Sequence, residues 1–118
     1  MMHRMSPQQR CEERLARRAG MIAYTITKLN LTQDQQTAWD KVRGPLKAAG
    51  DKERQLCADL KPRDQRAAET VLDRLNHREQ SLSVKLAAIQ QVKPAMDQFY
   101  QALSPDQKAI VDHPFHRR

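Results

Sequence analysis

Leu31-Thr32-Gln33-Asp34-Gln35 sets a hydroxyl residue three positions ahead of a glutamine, and the chain repeats that spacing at Ser6-Pro7-Gln8-Gln9 and Ser104-Pro105-Asp106-Gln107. Such a pattern is a capping box: the hydroxyl accepts from the backbone N–H three residues on, and the glutamine carbonyl accepts from the N-cap N–H. Two boxes add proline at the first helical position, where its missing N–H costs nothing. Two place Asp34 or Asp106 where the positive end of the helix dipole favours it. Helices are therefore predicted to start at Pro7, Gln33 and Pro105. A weaker start lies at Lys61-Pro62-Arg63-Asp64, where proline ends one helix and opens the next.

Between these starts the apolar spacing is helical. Leu15, Ala19, Ile22, Ile26 and Leu29 fall within an arc of roughly 80°, and Cys11 shares their face. Trp39, Leu46, Leu56 and Cys57 share a face of the second helix, with a kink expected at Gly44-Pro45. Ala68, Leu75, Leu82, Ile89, Met96 and Leu103 then recur every seven residues. Leu72, Leu86 and Tyr100 hold companion positions, whereas Glu79 and Lys93 interrupt that second row. The reading is an all-α single domain over residues 1–118, with helices near 7–29, 33–60, 63–102 and 105–112. Its central helix would run ~58 Å, bending near Pro94, against ~36 Å for the first. The uncovered seam needs another element or another chain. A long kinked, open hairpin that pairs antiparallel with its own copy as a homodimer is expected over a closed four-helix monomer.

Composition agrees with thin-cored helices. Of 118 residues 39% are hydrophobic and only 4% aromatic, and the net charge is +7. Gly20, Gly44 and Gly50 fit no phosphate-cradling loop. No apolar run approaches the ~18 residues of a membrane span, and no apolar leader segment is visible at the start. Ser81, Ser83 and His77 lack an oxyanion loop, and the pairs Glu12 with Glu13 and Asp64 with Glu69 are routine on charged helix faces. Neither an enzyme nor a cofactor is expected.

With leucine before two of the boxes, Leu31-Thr32-x-x-Gln35 and Leu103-Ser104-x-x-Gln107, the sequence resembles the LTxxQ-motif family, the Spy/CpxP-like periplasmic proteins. The first copy matches in full; in the second, Ser104 stands for threonine and caps equally well. The resemblance implies a four-helix, cradle-shaped dimer acting as an ATP-independent chaperone or an envelope-stress or metal-responsive accessory protein. It further implies a periplasmic location, with the signal peptide already removed from this chain, and a membrane sensor protein as a partner. The two cysteines and Gly44-Pro45 depart from the family pattern.

Cys11 and Cys57 would meet if the first two helices fold back near Asn30. Straight helices leave a ~9 Å register mismatch for the Gly44-Pro45 bend to absorb. An oxidising compartment favours the disulfide, and two buried thiols are the alternative. Residues 1–30 carry six cations against two carboxylates. Arg10, Arg14, Arg17 and Lys28, with Met21 and Tyr24, lie opposite the apolar face of the first helix. Cations can steer acidic chains and methionine adapts to varied apolar groups, so this strip is the expected client-binding surface for unfolded polypeptide. A solvated face with Met21 and Tyr24 in a dimer contact is the competing reading. His113 and His116 are weak zinc candidates: Pro114 between them disfavours a helical pair, and no carboxylate or thiolate joins them. A metal-responsive, zinc-binding accessory protein is the second functional reading. Third comes a basic helical nucleic-acid binder, opposed by carboxylates interspersed along every helix, so no nucleic acid is expected.

Overall fold

The computed structural model describes residues 4–114. Helices α1 (Pro7–Leu29), α2 (Gln33–Ala58), α3 (Arg63–Arg66), α4 (Val71–Gln101) and α5 (Pro105–Asp112) follow one another with no strand among the described residues. All three hydroxyl–glutamine boxes form. Ser6 Oγ, Thr32 Oγ1 and Ser104 Oγ accept from the N–H groups of Gln9, Gln35 and Gln107, and each glutamine Oε1 accepts from its own N-cap N–H. Asn30 ends α1 in the left-handed region, φ 51°, which asparagine tolerates better than most residues. Both Pro45 and Pro94 lie inside continuous helices.

The central helix corrects the expectation of one rod over 63–102. After α3 the chain leaves the helix at residues 67–70 and restarts at Val71. The cause is a fourth capping box at Thr70-x-x-Asp73. Thr70 Oγ1 accepts from the Asp73 N–H, and Asp73 Oδ2 accepts from the Thr70 N–H, each at 3.0 Å. Aspartate here does the work of glutamine in the other boxes. The bonds from Thr70, backbone first, hold the Asp73 carboxyl below its ordinary range, with smaller help from Lys61 and Arg74.

Two of the capping glutamines also bind each other. Gln35 Nε2 donates to Gln107 Oε1 at 2.7 Å, and Gln107 Nε2 donates to Gln35 Oε1 at 3.0 Å. Each Nε2 also donates to a helix-end carbonyl: Gln35 to Ala102 and Gln107 to Leu29. One amide pair thus ties the starts of α2 and α5 to the ends of α4 and α1. The core gathers beside it: Leu29, Trp39, Val42, Phe99 and Leu103 are buried, with the Trp39 and Phe99 ring centroids 5.1 Å apart. Leu31 packs half-buried against this cluster. Tyr100 Oη donates to Asp112 Oδ2 at 2.9 Å, which anchors α5 on α4 and raises the phenol pKa.

Away from this end the molecule opens. Its radius of gyration is 17.7 Å, against about 13 Å for a compact chain of this size. The seven-residue row runs from buried Leu103 through half-buried Met96 to Ile89, Leu82 and Leu75, each more than half exposed. The shape is an open hairpin of helices and not a closed four-helix bundle.

Two outcomes follow from the caps. Gln107→Ala removes one partner from the buried Gln35 amide and takes away the donor to the Leu29 carbonyl and the acceptor of the Ser104 N–H, so denaturant unfolding should show a loss of about 1–3 kcal/mol. Gln35→Ala added to it should cost less than the sum of the two single changes. Because folding lowers the Asp73 pKa, the stabilisation is complete above the ordinary value of 3.8 and is lost as pH falls through the folded value beneath it. Helical chemical shifts of residues 71–74 should hold above about pH 4 and weaken as the pH is lowered further, and Asp73→Asn should abolish that dependence.

Candidate functional site

Helices α1 and α4 each pack along α2, and a groove remains between them. Its middle is a recess of about 700 Å³ with apolar walls from Leu15, Ala19, Ile22, Leu46, Ala49, Ile89, Val92 and Met96. Toward the core end, Ile22 and Met96 continue into a smaller hollow of 290 Å³ with Met21, Ile26, Trp39 and Phe99. Toward the other end, Leu15, Arg18 and Glu53 lead into a 330 Å³ lobe beside Cys11. That lobe shares Arg14, His77, Ser81 and Lys85 with an outer basin of 640 Å³.

Charge changes along this path. The outer basin collects Arg14, Lys61, Arg66, Arg74, Arg78 and Lys85 against Asp59 and Glu69. Arg74, Arg78, Ser81 and Lys85 follow one another at helical steps of four, three and four, so one face of α4 carries the cations into the basin. The four ion pairs among the described residues are Arg17–Glu13, Arg18–Glu53, Arg43–Asp40 and Arg54–Asp51. None neutralises Arg14, Arg66, Arg78 or Lys85. Arg18 instead grips Glu53 with both terminal nitrogens, at 2.8 and 3.2 Å, and braces α1 against α2. The groove therefore grades from apolar and aromatic to strongly cationic.

Cys11 and Cys57 form a disulfide, with Cα atoms 5.5 Å apart, closing the open end of the α1–α2 pair. Gln8 supports the same junction: its Nε2 donates to the Ala58 and Leu60 carbonyls, at 2.9 and 3.0 Å. The glutamine beside the capping Gln9 is thus a clamp on the end of α2.

Of the expected client strip, Arg14 and Met21 line the groove. Arg10, Arg17, Tyr24 and Lys28 are exposed on α1 and line none of these hollows; Arg17 pairs with Glu13, and Lys28 lies 5.4 Å over the Tyr24 ring. The α4 cations join Arg14 only through the tertiary fold. Their helical spacing was readable, but that α1 stands opposite them was not. The motif residues Leu31, Thr32, Gln35, Leu103, Ser104 and Gln107 converge on the amide pair and its core. Among the described residues no group of three His, Cys, Asp or Glu side chains could hold a metal; His113 is the exposed C-cap of α5, and His116 lies outside the described residues.

The two motif copies, facing each other through their glutamines, are the feature that a family model should register. One described as LTXXQ motif family protein matches residues 17–113. The chain belongs to the LTXXQ motif family. No curated protein and no solved structure matches it. The family match covers the amide pair, the core end of the groove and the cationic face of α4, and begins after Cys11, Arg14 and Leu15.

Proposed function

We propose that this chain is a periplasmic, nucleotide-independent chaperone or envelope-stress accessory protein that holds unfolded polypeptide along the groove between α1 and α4. The observation that carries the reading is the gradient along one continuous groove: apolar and aromatic walls at one end, cations without ion-pair partners at the other. An unfolded chain offers apolar side chains and carboxylates in no fixed order. A surface with both kinds of site, and with Met21 and Met96 in its apolar end, accepts many such orders with low affinity. Family membership supports the same role, and a membrane sensor protein with an acidic face is a further partner for the basin.

The reading includes a second copy of the chain. Val71, Leu75, Leu82, Leu86 and Ile89 are each more than half exposed along about 27 Å of α4. A monomer rarely leaves so long an apolar row in water. An antiparallel two-fold pairing of α4 would cover it and join two grooves into one cradle.

Charge reversal tests the client surface. Arg14→Glu with Arg74→Glu and Arg78→Glu should reduce protection of a diluted, denatured client severalfold by light scattering, with the helical circular dichroism intact. Undiminished protection would reject the assignment. For the pairing, sedimentation should give about twice the 13.7 kDa chain mass, falling to the single-chain value in Leu82→Glu/Leu86→Glu.

A further inference from the structure

The disulfide is not equally accessible at its two ends. Cys57 is fully buried, whereas Cys11 is half-buried and lines the 330 Å³ lobe. Inside that lobe Glu53 is already bound by Arg18, so the charges facing an incoming molecule are those of Arg14 and Lys85. The basin outside is cationic as well. A small thiol can reach only one sulfur, and it reaches it through a positive field.

We propose that Cys11 is a thiol-exchange site, selective for small thiols carrying an anionic group such as a carboxylate or sulfonate, and that exchange there releases the first turns of α1 from α2. In the first step the thiolate attacks Cys11 Sγ. A new S–S bond forms, the Cys11–Cys57 bond breaks, and the electron pair leaves on Cys57, which takes a proton from water. A second thiolate attacks the reagent sulfur of this mixed disulfide, expelling Cys11, which is protonated in turn. Two reagent thiols are thereby oxidised to their disulfide while the protein disulfide is reduced.

Release follows from how little else holds that arm. α1 has no buried residue between Pro7 and Leu29. Without the disulfide, the two bonds from Gln8 and the seat of Pro7 must hold its first turns, the next tie being that of exposed Arg18 to largely buried Glu53. Since α1 is one wall of the groove, its release widens the cationic end. The inference does not depend on what the groove carries.

The test treats the oxidised full chain with 2-mercaptoethanesulfonate and, separately, with neutral 2-mercaptoethanol. Exchange is followed by intact mass, and rates are compared per thiolate. The sulfonate should react about tenfold faster at low salt, and its advantage should collapse at high salt. The first adduct should map to Cys11 by peptide mass. Arg14→Glu/Lys85→Glu should reverse or erase the preference. Hydrogen exchange should then show loss of protection in residues 8–15 but not around Trp39. Equal rates for the two thiols in the native chain, a first adduct on Cys57, or unchanged protection in α1 after reduction would each overturn the proposal.

Discussion

Everything in this molecule hangs on a pair of glutamine amides. Gln35 and Gln107 each finish a capping box, bind one another, and take a carbonyl from the end of a neighbouring helix. A lone buried amide costs stability, but this pair leaves no buried side-chain polar atom unpartnered among the described residues. Each glutamine is held by its own helix start, so the helices cannot slide without breaking a cap. The motif is therefore a joint as well as a start signal, and it brings four helix ends to one place.

The rest of the architecture follows from having the joint at one end only. Trp39, Val42, Phe99 and Leu103 pack beside it. At the far end, a disulfide and the side chain of Gln8 replace packing. With so little apolar surface to bury there, α1 and α4 diverge over α2 and leave a groove. The cations of α4 stand apart in it because facing helices supply few carboxylates to pair with them. An open surface, poor in core and rich in cations without ion-pair partners, is what the proposed holding of disordered polypeptide requires.

Helix starts were legible because capping is local: a hydroxyl and a glutamine three residues on carry the whole signal. Thr70-x-x-Asp73 is harder to read because an aspartate closes that box, and because the heptad spacing from Ala68 to Leu75 runs unbroken across residues 67–70, where the helix is interrupted. Cys11 with Cys57 could be paired by asking which helix ends meet. The mutual bond of Gln35 and Gln107 could not be read, since it depends on where α5 docks, a tertiary matter with no local trace. For the same reason Arg14 was recognised as a surface cation, but not as the residue facing Arg74, Arg78 and Lys85 across a groove. The heptad row is legible as apolar, and helix lengths alone leave part of its seam uncovered; which part stays open, Leu75 to Ile89, depends on where α1 and α5 dock.

The most direct measurement of this account is the solvent exchange of the Gln35 and Gln107 side-chain amide protons by NMR, with exposed Gln55 as an internal standard. The account predicts that both carboxamides exchange far more slowly than that of Gln55, and that replacing either glutamine speeds the exchange of the other, which keeps only its bond to the Ala102 or Leu29 carbonyl. Exchange at the Gln55 rate in the folded chain, or continued protection of one amide without the other, would contradict it.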